Sequence, residues 1–342
     1  GTISGHPAGD RMMDDNRIWL FDTTLRDGGQ TRGVDFSQAD KIAIAAALDE
    51  IGVDYIEGGW PGANPTDDAF FASPPQTRNA RIVAFGMTRR GGRSTANDPG
   101  LNAVLNAEVP ATCLVGKTWD FHVETAIKMS LEENLDMIRG SVTAAVDKGR
   151  ESMFDCEHFF DGYKNNSGYA IDCVKAAHKG GAAWVVLCDT NGGALPLEVF
   201  EIVSAVREAV PDVRLGIHCH NDSGVAVANS LAAIRAGARQ VQGTINGLGE
   251  RCGNADLISL IPTLVLKLGY QTSIAEENLP KLIQLSRMLD ERLNRAPNPQ
   301  APYVGEAAFA HKGGLHASAA QKDPRTYEHV PPEKVGNFRQ YL

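Results

Sequence analysis

Residues 184–222 read WVVLCDTNGGALPLEVFEIVSAVREAVPDVRLGIHCHND, and this stretch decides the fold. It begins with a β-rich run, Trp184–Asp189, continues through a polar, glycine-containing turn into a segment of helical period, and ends in a second β-rich run, Leu215–Cys219. The alternation of short β-rich runs with longer helical segments predicts βα units around a parallel sheet.

The same alternation extends in both directions from this stretch and gives eight β-rich runs. They are Ile18–Thr23, Tyr55–Gly59, Ile82–Gly86, Thr112–Gly116, Ser152–Glu157, Trp184–Asp189, Leu215–Cys219 and Gln240–Thr244. Eight parallel strands, each followed by a helix, predict a closed (β/α)8 TIM barrel, an α/β fold.

The segment between the first two strands carries helix end signals. Ser37 is a candidate N-cap, Asp40 adds negative charge to the first turn, and Gly52 follows the apolar stretch at the point where the helix should stop.

The remainder of the chain divides into two parts. Residues 1–16 are polar and predict a flexible tail, and residues 17–270 carry the barrel. Residues 271–342 predict a linker and a partial C-terminal subdomain, a helical extension that contains the stretch Leu279 to Leu293 and the proline-rich Ala296–Pro302. The lack of a terminating signal at Tyr341-Leu342 suggests a fragment of a longer polypeptide.

Composition excludes several classes of function. The 342 residues carry 42 acidic and 33 basic side chains, a net charge of −9 without blocks, which argues against nucleic-acid and membrane partners. No apolar run reaches the roughly 18 residues of a membrane span, and the start lacks a signal sequence. The six cysteines show no paired spacing, so we expect a cytoplasmic protein.

Several predicted strands end in polar, glycine-rich clusters, which a barrel brings to one face. These are Arg26-Asp27-Gly28-Gly29, Glu57-Gly58-Gly59, Asp189-Thr190-Asn191-Gly192 and His218-Cys219-His220-Asn221-Asp222. Active sites of TIM barrels lie on this face.

The strongest of these signals is His218-Cys219-His220. Because side chains alternate along a strand, both imidazoles should point to the same side and bind one metal ion. Asp27 after the first strand and Asn254 after the eighth would complete the ligand set, since strands one, seven and eight become neighbours when the barrel closes. This set suits a divalent ion, Mn²⁺, Zn²⁺, Co²⁺ or Mg²⁺. A histidine pair without metal is the alternative.

Other polar residues on this face have candidate roles in catalysis. Arg26 could stabilise negative charge on an enolate or alkoxide oxygen, or simply form an ion pair. Thr190 could bind a substrate carboxylate, and Glu157 could hold a water or a partner base. His316 lies outside the barrel. The glycine-rich residues 247–253 lack dinucleotide-loop spacing and follow the last strand, which argues against nucleotide binding there.

Three separated motifs resemble one known family. They are Asp22-Thr23-Thr24-Leu25-Arg26-Asp27-Gly28, residues 218–222 and residues 247–255. In this order they resemble the metal-dependent acyl-CoA condensing enzymes and lyases, which include isopropylmalate, homocitrate and citramalate synthases and hydroxymethylglutaryl-CoA lyase. The motifs at residues 57–62, 116–120, 157–164 and 250–255 are similar to the citramalate synthase branch.

The resemblance implies a Claisen condensation of acetyl-CoA with a 2-keto acid, pyruvate in that branch, by a homodimer. It implies metal ligation by Asp27, His218, His220 and Asn254, oxyanion stabilisation by Arg26 and substrate contacts from Thr190 and Glu157. His316 becomes the candidate base, within or across subunits. The alternatives are isopropylmalate or homocitrate synthesis, a carbon–carbon lyase, or a non-catalytic barrel.

Three positions limit what the resemblance implies. Gly29 stands where isopropylmalate-type members carry Glu, and Ser318 stands where they carry Asp two residues after the catalytic histidine. Cys252 does not align with the cysteine of the lyase loop, which favours a synthase. The CoA site stays open: Arg89, Arg90 and Arg93 could meet its phosphates, or form a solvated loop.

Overall fold

The computed structural model describes residues 15–342, and its central feature is a closed barrel of eight parallel strands. Each strand pairs with its neighbour in chain order, and β1 pairs with both β8 and β2, which closes the ring. The strands are β1 (Arg17–Asp22), β2 (Tyr55–Gly59), β3 (Arg81–Met87), β4 (Ala111–Lys117), β5 (Glu151–Glu157), β6 (Trp184–Asp189), β7 (Leu215–Cys219) and β8 (Gln240–Gly243).

Helices surround the barrel and form the C-terminal extension. The α-helices are α1 (Gln38–Ile51), α2 (Pro65–Ala72), α3 (Pro99–Leu105), α4 (Asp120–Thr125), α5 (Leu131–Asp147), α6 (Phe159–Asn165), α7 (Ser167–Gly180), α8 (Pro196–Ala209), α9 (Ala226–Arg235), α10 (Leu257–Pro262), α11 (Lys281–Arg292) and α12 (Gly314–Lys322). Short 3-10 helices span Gly28–Gln30, Ile245–Gly247, Glu276–Asn278, Pro324–Thr326 and Pro332–Val335, and a π-helical turn spans Thr263–Lys267.

The predicted TIM barrel is confirmed. Three strands have the predicted bounds, Tyr55–Gly59, Trp184–Asp189 and Leu215–Cys219, and the other five differ by one residue at one or both ends. None of the described helices is long and apolar enough to cross a bilayer.

Helix α1 begins and ends where its end signals predict. The Ser37 hydroxyl accepts the Asp40 N–H at 3.0 Å, and the Asp40 carboxylate accepts the Ser37 N–H at 3.1 Å, a reciprocal capping box. Gly52 ends the helix in the left-handed region, with a φ of 107°.

Three short strands were not predicted from the sequence. β9 (Gln271–Thr272) extends the barrel sheet by pairing with the start of β1, and β10 (Ala310–His311) pairs with β11 (Gln340–Tyr341). Two residues are too few to show an alternation, so their pairing depends on contacts distant in sequence.

The barrel interior changes from apolar to polar toward the carboxyl ends of the strands. Its apolar layer consists of Phe21, Tyr55, Val83, Ala111, Cys113, Met153, Trp184, Val186 and Cys188. Two residues further along their strands, the same alternation points Glu57 and Asp155 inward, and both are buried. The interior therefore presents ionisable groups on the face where barrel enzymes have their sites.

The C-terminal segment contacts the barrel through α11. Leu282, Leu285 and Leu289 are buried, and Arg292 forms an ion pair with Asp40 of α1 at 3.2 Å. The division of the chain at residue 270, with a linker and partial subdomain at 271–342, stays a prediction. The predicted tail, residues 1–16, lies outside the described residues except for Asp15 and Asn16, which contact Arg239 and Gln271.

A buried ion pair fixes the loop after β2, on the same face of the barrel. Lys41 Nζ donates to Gly58 O at 2.8 Å and to an Asp67 carboxylate oxygen, while the other Asp67 oxygen accepts the Trp60 N–H at 2.9 Å. The side chains of Lys41 and Asp67 are only 5% and 10% exposed.

We predict that Lys41→Met destabilises the fold by about 3–5 kcal/mol, because it leaves the Asp67 carboxylate buried without its counter-charge. Urea unfolding followed by circular dichroism measures the change. Lys281→Met, at an exposed position on α11, is the matched control. A Lys41→Met protein within about 1 kcal/mol of wild type would contradict this account of the pair.

Candidate active site

The four residues predicted to bind metal converge at the carboxyl ends of β7, β8 and β1. His218 Nε2 lies 2.8 Å from Asn254 Oδ1 and 3.1 Å from Asp27 Oδ2, and His220 Nε2 lies 3.4 Å from the same Asp27 oxygen. All four residues are buried. We call Asp27, His218, His220 and Asn254 the four-residue cluster.

Strand alternation explains how the two histidines meet. His218 is in β7, His220 follows its end, and their rings stack at 5.2 Å between centroids. Cys219 between them is buried among the apolar residues outside the barrel. The spacing His-x-His therefore places both imidazoles on one side of the strand, as predicted.

A tight glycine loop brings Asn254 to the cluster. Residues 247–255 turn back so that Asn221 N–H donates to Gly253 O and Ala255 N–H to Cys219 O, beside the end of β7. Gly253 has a φ of 93°, and a Cβ there would lie 2.0 Å from Gly247 O. The glycines thus have a local structural role, which is to allow this turn.

Hydrogen bonds orient the ligand atoms inward. Gln242 Nε2 donates to Gln240 Oε1, so Gln242 Oε1 faces His218 and accepts from its Nδ1 at 2.8 Å. Because Nδ1 donates in that bond, Nε2 is the ring nitrogen that faces the cluster, and it would bind an ion after losing its proton. Asn254 Nδ2 donates to Leu248 O, which directs Asn254 Oδ1 the same way.

The result is a site in which four ligand-type side chains face one another and which favours positive charge. Burial is the largest effect on both Asp27 and His218, and it disfavours their charged forms. The bonds to His218 and His220 nevertheless hold the pKa of Asp27 well below its usual range, and Asp27 raises the pKa of His218 to about 9. Two imidazoles, a carboxylate and an amide oxygen in such a field fit a divalent cation.

Arg26 is held beside this cluster. Its Nε donates to Glu57 Oε1 at 2.6 Å, and its guanidinium lies 3.9 Å from the centroid of the Phe85 ring. Glu57 Oε1 also accepts the Thr23 hydroxyl at 2.8 Å. Nε is the only nitrogen of the Arg26 side chain that forms a hydrogen bond with the described residues. The ion-pair interpretation therefore holds for Nε, and the two Nη groups are available to a ligand.

Two buried polar residues of this site, Gln242 and Asp155, were missed from the sequence, and Glu57 was predicted only as part of a strand-end cluster, without a role of its own. Gln242 orients His218, and Glu57 and Asp155 lie behind Arg26, where burial and the charge of Glu57 raise the pKa of Asp155 to about 6. A signal was present: alternate residues of otherwise apolar strands, Gln240 and Gln242 in β8 for example, are polar. Such residues in a buried strand must face the barrel interior.

Thr190 and Glu157 lie at the ends of β6 and β5, and within the described chain neither side chain forms a hydrogen bond with the four-residue cluster. The Thr190 hydroxyl oxygen accepts the His158 N–H at 2.8 Å, and Glu157 Oε1 accepts from Lys117 Nζ at 2.8 Å. The two predicted substrate residues are therefore linked to each other through the backbone of residues 157–158.

An apolar cavity opens beside Glu157, with a volume of about 350 Å³. Arg89, Arg90, Lys117 and Glu157 supply its charged groups, and the apolar lining includes Met87, Val115, Ile127, Met129 and Met137. Arg93 is not part of the lining. Arg89 is engaged by Glu133 at 3.0 Å.

The structure does not bring His316 to the cluster. It lies exposed on α12, stacked on Tyr327 at 4.5 Å between ring centroids, and Ser318 is also exposed. Its neighbour His311 is buried and bonded to Glu328 at 2.9 Å. The assignment of His316 as the base stays a prediction.

Comparisons with known proteins agree with this fold. A family model described as HMGL-like matches residues 17–288, and one described as homocitrate synthase post-HMGL domain-like matches residues 303–342. The solved structure of a hydroxymethylglutaryl-CoA lyase from Pseudomonas aeruginosa shares the fold, with a TM-score of 0.68 at 21% identity over 82% of this chain and 95% of that one.

Two relatives are more similar to this chain in sequence than that lyase is. The chain is 54% identical to an (R)-citramalate synthase of Aquifex aeolicus over 94% of this chain, and it spans 61% of that protein's length. It is 34% identical to a 2-isopropylmalate synthase of Sulfurisphaera tokodaii, over 96% of this chain and 82% of that protein. The chain therefore belongs to the HMGL-like family, in the group of citramalate and 2-isopropylmalate synthases.

Proposed function

We propose that this chain is the catalytic part of an enzyme that condenses acetyl-CoA with pyruvate to give citramalate. The convergence of Asp27, His218, His220 and Asn254 on one point carries the proposal. The choice of pyruvate is supported by the 54% identity to an (R)-citramalate synthase, against 34% to a 2-isopropylmalate synthase.

The four-residue cluster would hold a divalent ion, Mn²⁺, Mg²⁺, Zn²⁺ or Co²⁺. When bound, the ion supplies Lewis acidity toward the carbonyl oxygen of the keto acid. Gln242 keeps the Nε2 lone pair of His218 directed into the site, which is a contribution of the protein to ion affinity.

Arg26 and Thr190 act on the keto acid. The free Nη groups of Arg26 donate to the oxygen on which negative charge develops as the new carbon–carbon bond forms. Because the Thr190 hydroxyl oxygen already accepts the His158 N–H, its own hydrogen is available to the substrate carboxylate.

His316 and Glu157 handle protons and water. His316, from the same or a neighbouring subunit, removes a proton from the acetyl methyl group, whose carbon then bonds to the keto carbon. The keto oxygen gains a proton, and water, positioned by Glu157, hydrolyses the thioester and releases CoA. The 2.8 Å pairing of Glu157 with Lys117 supports a carboxylate that is fixed in position.

We also propose that the enzyme is a cytoplasmic homodimer. All six cysteines are free thiols, and Cys252 is exposed, as expected in a reducing compartment. Leu315 and Phe338, 78% and 61% exposed, give the C-terminal segment apolar side chains that a second copy could cover.

The central experiment measures CoA release from acetyl-CoA with pyruvate and, in parallel, with 2-ketoisovalerate. We predict at least a roughly 10-fold preference for pyruvate in kcat/KM, loss of activity after chelation and recovery with Mn²⁺ or Mg²⁺. Chelator-insensitive condensation would overturn the metal assignment, preference for 2-ketoisovalerate would favour isopropylmalate synthesis, and cleavage of a hydroxyacyl-CoA without condensation would favour a lyase.

Gln242→Leu tests how His218 is oriented. We predict that Mn²⁺ binds about 10–100-fold more weakly, because His218 loses the acceptor that fixes its tautomer. Calorimetric titration gives the Kd. Gln240→Leu, which keeps the Gln242 acceptor, should lose less affinity. Equal Kd values for Gln242→Leu and wild type would show that Gln242 does not orient the ligand.

His316→Ala tests the base. We predict a loss of about 10²- to 10⁴-fold in kcat with an unchanged Kd for Mn²⁺, because the base acts on acetyl-CoA and not on the ion. His178→Ala, at an exposed position on α7, should keep wild-type kcat. A His316→Ala enzyme with near-normal kcat would assign the proton transfer to another group.

A further inference from the structure

A second group of ligand-type side chains lies at the ends of β4 and β5, apart from the four-residue cluster. His122 is on α4, and Glu157 and His158 end β5 and follow it. One donor atom from each of the three lies within 4.8 Å of the other two, and all three residues are half-buried. No residue of this group belongs to the four-residue cluster, so the two groups form separate candidate sites.

The histidine rings are fixed by aromatic packing. The centroid of the Trp119 ring lies 4.4 Å from that of the His122 ring and 5.9 Å from that of the His158 ring. The two histidine rings meet edge to face, with 4.7 Å between their centroids. These distances leave the imidazoles little freedom to rotate.

The backbone around the group is also held in place. Thr118 Oγ1 donates to Glu157 O at 2.8 Å, and the Asp120 carboxylate accepts from Asn165 and Asn166, which ties α4 to α6. His158 has a φ of 53°, a left-handed conformation that is uncommon outside glycine, and its N–H is held by Thr190.

One ring nitrogen of each histidine, Nδ1, lacks a hydrogen bond to the described residues, and the other nitrogen of His158, Nε2, lies 3.6 Å from Glu157 Oε1. In the described chain the Nδ1 atoms of His122 and His158 are buried and have no hydrogen bond, although an Asp161 oxygen lies 3.5 Å from that of His158. A buried polar atom left without a partner costs about 1–3 kcal/mol.

We propose that His122, Glu157 and His158 form a second metal site, which binds a late first-row divalent ion such as Zn²⁺. Two imidazoles and one carboxylate make the three-ligand set that Zn²⁺ takes in proteins, with a fourth position left for solvent. Mg²⁺ and Ca²⁺ prefer all-oxygen sets and are poor occupants.

Occupation of this site would change the environment of Glu157. Its Oε1 is 2.8 Å from Lys117 Nζ and 3.6 Å from His158 Nε2, so an ion on the histidine side competes with the lysine for the carboxylate. This competition follows from the distances alone and does not depend on the reaction that the enzyme catalyses.

The test counts ions. Wild-type chain and variants are stripped with chelator, dialysed against buffered Zn²⁺ with excess Mg²⁺, and analysed for bound zinc per chain. We expect about two equivalents for wild type and about one for His122→Phe/His158→Asn. In this double variant Phe keeps the stacking on Trp119 and Asn tolerates the left-handed backbone. His178→Asn, an exposed-histidine control on α7, should keep two.

A complementary variant separates this proposal from the assignment of the four-residue cluster. His218→Gln/His220→Gln should retain about one equivalent, and Co²⁺ bound to it should give the intense visible absorption of a tetrahedral site. Melting curves check that both double variants fold, and His158→Asn alone replaces the double variant if it does not. The proposal is refuted if wild type binds a single equivalent that disappears with His218 and His220, or if His122→Phe/His158→Asn keeps two.

Discussion

The pairing of β1 with β8 is the constraint on which the site depends, because it places the first strand beside the last and closes the barrel. The register aligns Asp22 with Gly243, and the neighbouring β7–β8 register aligns His218 with Gln242. Asp27, only five residues after Asp22, therefore lies beside residues from the far end of the chain. A shift of one residue in the β7–β8 register would turn Gln242 away from His218, and a shift in the β1–β8 register would displace Asp27 from the two histidines.

Ionisable groups inside the barrel are costly unless they neutralise one another or bind a cation. Asp27 is paired with His218 and His220, and Glu57 is paired with Arg26. Asp155 forms no ion pair with any of the described residues, and burial, followed by the charge of Glu57, raises its pKa to about 6 against the opposing charges of His218 and Arg26. The charge inside the barrel therefore differs from place to place. It is negative enough at the four-residue cluster to attract a divalent ion, and it is positive at Arg26, where an oxyanion could form.

The sequence predicted the barrel because its strands are apolar runs that end in polar, glycine-containing turns, and both signals are local. It predicted Asp27, His218, His220 and Asn254 because barrel closure brings known strand ends together. Gln242 was missed because its contact with His218 depends on the register between β7 and β8. Strand β9 was missed because two residues show no periodicity. The group formed by His122 and His158 joins positions 36 residues apart on separate elements, and only packing around Trp119 reveals it.

The loop that carries Asn254 has a consequence for how the protein holds together. His218 and Asp27 are 191 residues apart in the chain, and Asn254 belongs to a third segment, so an ion bound by all of them would tie the two ends of the barrel into one ring. Such an ion binds the folded chain, in which the three segments meet, and not the unfolded chain, so its binding free energy adds to the stability of the fold. The heat tolerance of this protein would then rise and fall with the free metal concentration around it, and a cell starved of that metal would lose folded protein.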